Sequence, residues 1–103
     1  MTESTRRIID ALLAVKKGKV ASYGGVARAA GLQNGARQTV RVLHAMSEKF
    51  KLPWHRIVRA DGSIALDEGA GRELQTELLR SEGVEVSPDG KIDLGQFGAK
   101  EYL

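Results

Sequence analysis

The sequence predicts a mainly α fold with small β elements, arranged as a winged-helix-like helix-turn-helix domain. Three observations carry that expectation. Two short helical patterns stand either side of a Gly-containing turn, and each is preceded by a residue suited to capping. A strand-like pair bounded by turn residues follows Pro53. Basic residues crowd the helical half, with twelve Lys/Arg against three Asp/Glu in residues 1–60, a net of +9, whereas residues 61–103 carry four against ten, a net of −6.

Ser4 or Thr5 is placed to cap a first helix whose Ile8, Ile9, Leu12 and Leu13 recur at helical spacing. Lys16 and Lys17 are expected near its C-terminus, with Gly18 as the stop. Ser22 is expected to cap a short second helix, Tyr23 to Ala30, closed by Gly31. After the turn at Leu32-Gln33, Asn34 is predicted to cap a third helix from about Gly35 to Met46 or a little further. On that helix Arg37, Arg41 and His44 share one face, and Ala36, Val40 and Leu43 line an adjoining face suited to a core. Small residues at Gly35 and Ala36 would let its first turn approach a groove closely.

Beyond Pro53, Arg56 to Arg59 reads as a strand, Asp61-Gly62 as a turn, and Ser63 to Leu66 as a strand returning beside the first. Asp67 to Gly71 reads as a flexible loop. A helix is predicted over Arg72–Glu82 with Leu74, Leu78 and Leu79 inward and Gly83 as its stop. Val84 to Val86 and Lys91 to Leu94 are predicted to form a hairpin around Ser87-Pro88-Asp89-Gly90, and the tail from Gly95 to Leu103 to pack back onto the body. The whole chain, 1–103, is expected to be a single domain and a monomer.

Composition removes several function classes. The 103 residues contain no Cys, which excludes disulfides, thiolate metal sites and a thiol nucleophile. The two His have no carboxylate paired with them in the sequence, so neither a metal nor another cofactor is expected. No apolar run approaches the roughly 20 residues of a membrane-spanning helix. The N-terminus lacks signal-peptide features, and a cytoplasmic location is expected. The basic half points to a polyanionic partner, attracted by steering and counterion release. From these features alone, a small helix-turn-helix transcription regulator reading the major groove remains an alternative.

More specific are Gly18-Lys19-Val20-Ala21-Ser22-Tyr23, then Ala36-Arg37, then Pro53-Trp54-His55-Arg56-Ile57, with Leu78-Leu79-Arg80-Ser81-Glu82-Gly83 following in order. Over roughly residues 5 to 83 this order and spacing resemble the C-terminal, DNA-binding domain of the O6-alkylguanine-DNA alkyltransferases. In those enzymes the second position of Pro-Cys-His-Arg is the cysteine that accepts the alkyl group. Trp54 stands there in this chain, and an indole has no nucleophilic atom suited to that transfer, which needs an activated thiolate. The resemblance is therefore to the alkyltransferase-like, non-enzymatic branch.

What the resemblance implies is a sensor that docks a helix-turn-helix in the minor groove of double-stranded DNA containing O6-alkylguanine and flips the base out. Nucleotide excision repair proteins are the further partners it implies. Arg37 would be the arginine finger that fills the vacated stack, its planar guanidinium able to stack and still hydrogen-bond. Ala36 would sit beside it, and Arg41 would contact phosphate or groove, with Lys19, Arg28 and Arg59 as further phosphate contacts. Tyr23 would turn the backbone and border the base pocket. Trp54 would wall that pocket, and the carbonyls of Trp54 and Ile57 would accept from the amino edge of the guanine. His55, Glu82 and Arg56 are read as structural, because no thiol remains to be activated. Met46-Ser47 stands where the family carries Asn-Pro, and the acidic Asp67-Glu68 falls in the lid.

Overall fold

The computed structural model describes residues 1–102. Helix α1 (Glu3–Leu13), strand β1 (Ala21–Ser22), helix α2 (Tyr23–Ala29) and helix α3 (Ala36–Phe50) come first. A 3-10 turn over Trp54–Arg56 leads into strand β2 (Ile57–Val58). Helix α4 (Arg72–Ser81), the one-turn helix α5 (Leu94–Phe97) and a last 3-10 turn at Lys100–Tyr102 complete the order. The fold is mainly helical with small β elements, as the sequence predicts, and its sheet among the described residues is the pair β1-β2. Among the described residues no helix is long and apolar enough to cross a membrane.

The helix ends follow local chemistry, not always at the predicted residue. Thr2, rather than Ser4 or Thr5, caps α1: its hydroxyl accepts from the Thr5 N–H at 3.1 Å, with Glu3 favourably placed in the first turn. The helix stops at Leu13, before Lys16 and Lys17. The chain leaves it so that Val15, 1% exposed, can enter the core, and Gly18 then turns at φ +84°. Ser22 caps α2 as expected, accepting from Gly25 N–H at 2.9 Å, and Gly31 supplies a left-handed residue at φ +82° just after it.

Asn34 does not cap α3. It takes the left-handed conformation itself (φ +55°), and Gly35 holds the cap position without a side-chain bond. A side chain at Gly35 would meet the Ala27 methyl at 2.9 Å, so close packing of α2 on α3 sets this corner. The helix runs on to Phe50, where Lys51 (φ +52°) ends it. Its core face is Thr39, Val42 and Leu43; Ala36 and Val40, expected inside, are only half-buried.

The predicted hairpins are replaced by longer-range pairing. β2 pairs in parallel with β1, Ala21 against Ile57 and Ser22 against Val58, instead of with the segment after Gly62. All four strand residues are buried, and short parallel strands covered on both faces read as this kind of apolar run. The Asp61-Gly62 turn does form, with Arg59 N–H donating to the Ser63 carbonyl at 2.9 Å. The returning segment then pairs with residues 90–92: Ser63 bridges Lys91, and Ile64 N–H donates to the Gly90 carbonyl. The turn at Ser87 to Gly90 also closes, but Leu94 begins α5 under an Asp93 cap instead of ending a strand.

On α4 the inward set shifts by one position, with Gln75 (2% exposed) inside and Leu74 (52%) outside. Leu79 is buried as expected, Leu78 is half-buried, and the helix ends at Ser81. Two apolar clusters result. Ile8, Leu12, Val26, Val42 and Ile57 anchor the one among α1–α3, while Val58, Ile64, Leu79, Val84 and Ile92 anchor the other beneath α4. The tail packs back as expected. The Tyr102 hydroxyl donates to the Ala11 carbonyl at 2.8 Å, while Val20 N–H donates to Phe97 and Ala99 N–H to Val20. Leu103 lies outside the described residues.

The last turn presses on α2 at Gly25, where a Cβ would lie 1.6 Å from the Tyr102 carbonyl oxygen. Gly25→Ala is expected to lower stability by about 1–3 kcal/mol or more, because backbone, not a flexible side chain, must move. Gly24→Ala, whose added methyl meets only the far end of Arg28, is expected to be neutral or stabilising by up to about 1 kcal/mol. Urea unfolding of both variants beside the wild type checks the contrast.

Candidate nucleic-acid interface

Leu52, 4% exposed, anchors the chain after α3, and Pro53 then redirects it. The 3-10 turn closes with Trp54 N–H donating to Leu52 at 2.8 Å and Arg56 N–H to Pro53 at 3.0 Å. Glu82, at the end of α4, holds the turn from below. Arg56 donates to it twice, Nε to Oε1 at 2.9 Å and Nη2 to Oε2 at 2.8 Å, while Nη1 reaches the Val15 carbonyl at 2.9 Å. His55 Nε2–H donates to Glu82 Oε2 at 2.8 Å, and Gly18 N–H to Oε1 at 3.3 Å. The bidentate Arg56 contact is the main reason the Glu82 carboxyl titrates at about 2, with His55 and Gly18 adding to it against partial burial. An ionised Glu82 can only accept, so Nε2 of His55 carries the proton. These residues are engaged in structure, as the sequence reading of His55, Arg56 and Glu82 expects.

Above the turn lies a cavity of about 230 Å³. Tyr23 and Trp54, two of the residues singled out in the sequence, line it together. Val40, Leu43 and Leu66 add apolar wall, and His44, Ser47 and Gln75 add polar groups. Trp54 is half-buried and meets the His55 ring edge-on, centroids 6.0 Å apart at 83°. Burial holds the Tyr23 phenol above its ordinary pKa, with the Arg59 guanidinium acting in the other direction, so its hydroxyl stays protonated at neutral pH. Arg59 is nearby because Tyr23 and Arg59 directly follow the paired residues Ser22 and Val58.

Not every expected residue meets at this cavity. The Ile57 side chain is wholly buried, and only its carbonyl is available, accepting from Gln75 Nε2 at 3.1 Å. Ala36, Arg37 and Arg41 lie along α3 outside the cavity lining, the two arginines exposed and Ala36 half-buried. Gln75 and Leu66 are not among the site residues the sequence points to. Gln75 sits one turn before Leu79, a spacing that would have placed it inward. A larger cavity of about 360 Å³ lies among Lys16, Lys19 and the C-terminal turn, and of the residues expected to meet DNA it is lined by Lys19 alone. Among the described residues no cluster of His, Asp and Glu could hold a metal.

Fold and site define a helix-turn-helix domain with a small aromatic-walled cavity among α2, α3, the Trp54 turn and α4. The family model described as the DNA-binding domain of 6-O-methylguanine DNA methyltransferase matches residues 3–84, and the chain belongs to that family. It is 40% identical over 92 residues to the DNA base-flipping protein of Escherichia coli (strain K12), covering 89% of this chain and 70% of that one. Alkyltransferase-like protein 1 of Schizosaccharomyces pombe is 34% identical over 106 residues, covering 100% and 95%. The crystal structure of S. pombe Atl1 in complex with damaged DNA containing O6-carboxymethylguanine superposes with a TM-score of 0.84 at 31% identity, over 96% of each chain. Within a family described by a methyltransferase, this chain has no cysteine and so no thiol to methylate.

The Glu82 carboxyl gives a pH signature. Its folded pKa of about 2 lies below the ordinary carboxyl value of 4.5, so its stabilisation is complete above pH 4.5 and disappears as pH falls towards 2. That contribution is on the order of 3 kcal/mol. Glu82→Gln is expected to lose it at pH 7 and to show a flatter stability profile between about pH 5 and 2 than the wild type. Urea midpoints across that range measure the difference.

Proposed function

We propose that this protein is a non-enzymatic sensor of O6-alkylguanine in double-stranded DNA. In this reading the 1–103 chain acts as one monomeric domain, in the cytoplasm, and needs no cofactor. The observation that carries it is that Tyr23 and Trp54 line one cavity in a chain with no cysteine, within a family whose relatives flip bases and bind damaged DNA. At about 230 Å³ the cavity is smaller than the roughly 300–1,000 Å³ clefts that take drug-sized ligands, and suits a single planar base.

Docking would place α3 in the minor groove. Arg37, exposed near its start, would enter the base stack as the arginine finger, with Ala36 allowing close approach and Arg41 one turn on binding the backbone. Tyr23, protonated and half-buried, would donate to the displaced phosphate at the cavity mouth. Trp54 would pack against the flipped base and its alkyl group, with the Trp54 and Ile57 carbonyls as acceptors for its amino edge. Since no bond to the alkyl group is made or broken, the complex would last until another activity removes the lesion, which fits a hand-over to nucleotide excision repair.

Gel-shift titration of matched duplexes with and without O6-methylguanine at moderate salt tests this reading. The wild type is expected to prefer the lesion duplex, and Arg37→Ala and Tyr23→Ala to weaken that binding at least about tenfold each, the scale of a lost desolvated contact. The methyl group should be recovered intact on the DNA. Equal affinity for the two duplexes, or loss of the methyl group, defeats the proposal. Tight binding to one undamaged sequence would point to a transcription regulator instead.

A further inference from the structure

Gln75 is the buried polar residue of the cavity whose role the reading above leaves open. It is 2% exposed and projects from α4 towards the 3-10 turn. Its Nε2 donates to the His55 carbonyl at 3.0 Å and to the Ile57 carbonyl at 3.1 Å, which uses both amide hydrogens. Because both partners are carbonyls, they also fix which end of the amide is nitrogen. The amide oxygen receives no hydrogen bond from the described residues, yet among those residues no buried side-chain polar atom is left without a partner. That oxygen is therefore open to the cavity that Gln75 lines.

We propose that Gln75 is a specificity-determining residue that fixes the reading carbonyls of the turn and offers its own oxygen to the 2-amino group of a flipped purine. The inference deepens the lesion-sensor reading and rests on it. The Trp54 carbonyl already accepts from Ile57 N–H, and the Ile57 carbonyl from Gln75, so each keeps one lone pair for a ligand. Without Gln75, nothing among the described side chains would hold the Ile57 carbonyl in place from the α4 side. O6-alkylation removes the N1 proton of guanine, and the 2-amino group becomes the only donor left on that edge. An acceptor-rich wall, built from one amide oxygen and two oriented carbonyls, matches that donor. It rejects a purine lacking the group, because the wall would then be desolvated without a partner.

The test compares wild type, Gln75→Met and Leu74→Ala, the last a solvent-facing control on the same helix. Each is titrated with duplexes carrying O6-methylguanine, O6-methylhypoxanthine (which lacks only the 2-amino group) or guanine at one position. The quantity read is the ratio of the affinities for the two lesions, and its change on mutation cancels their different pairing strengths. Gln75→Met is expected to reduce that ratio roughly three- to tenfold, the worth of one hydrogen bond, while Leu74→Ala leaves it within about twofold. An unchanged ratio in Gln75→Met overturns the proposal. If Gln75→Met does not unfold cooperatively, Gln75→Lys, which keeps donors for both carbonyls but has no acceptor, replaces it with the same two outcomes. Equal binding of O6-methylguanine and guanine by the wild type would defeat the lesion reading itself, separately from any role of Gln75.

Discussion

The carboxylate of Glu82 accepts from Arg56, His55 and the Gly18 amide at once, and these donors come from parts of the chain far apart in sequence. The α4 terminus is thereby tied to the turn after α1 and to the 3-10 turn that carries Trp54. A buried ion pair of this kind is costly to desolvate, and it holds because each Glu82 oxygen has two donors and Arg56 also spends Nη1 on Val15. The arrangement leaves Trp54 little freedom, since the residues on its C-terminal side are clamped and Pro53 fixes the other. A cavity wall made from a single large side chain needs that rigidity.

The charge division of the sequence takes on a more particular meaning in three dimensions. Several acids of residues 61–103 complete local backbone structure rather than forming one acidic face. Asp61 accepts from Ser63 within its turn, Glu73 from the Gly69 amide at the loop before α4, and Asp93 from Gly95 at the start of α5. A half of the chain built from turns and short helices has many such unpaired N–H groups, and Asp and Glu are the residues that satisfy them. The basic half is longer in helix, where ends are fewer, and its exposed Arg37 and Arg41 stay without a protein acid in the described contacts. Among the described residues, Glu82 is the acid of this half that pairs with basic groups of the other.

How much of this was readable in the sequence depended on the range of the interaction. The Ser22 cap, the Asp61-Gly62 turn and the stop after α4 are local, and the residues concerned show them directly. Asn34 failed as a cap because the corner is decided by Gly35 packing on Ala27, a contact between helices. The hairpins failed because residues 57–58 and 63–64 found partners at 21–22 and 90–91 instead of in each other. Alternation of apolar residues marks a strand but not its neighbour. Leu74, expected inward, faces solvent because Gln75 has the hydrogen-bond partners and leads one turn later to Leu79. A buried glutamine with two carbonyl partners is not legible until those carbonyls are in place.

The site itself was legible where it depends on spacing and illegible where it depends on depth. Tyr23 and Trp54 line one cavity, both packing against the apolar cluster among α1–α3. Arg37 and Arg41 remain outside the cavity, which is the place for groups that would act on the duplex and not on the base. Removing the thiol from such a pocket changes what it must accomplish. A reacting enzyme has to bring one atom within bonding distance of the alkyl carbon and thereby limits the size of the group. In the proposed reading, a pocket walled by Trp54, Val40 and Leu66 would have only to exclude water around that group, and dispersion contacts tolerate variation in shape that a reaction trajectory does not. In that reading, discrimination among purines falls to the 2-amino group that alkylation leaves in place, and the polar groups of this cavity are few enough to be assigned one by one.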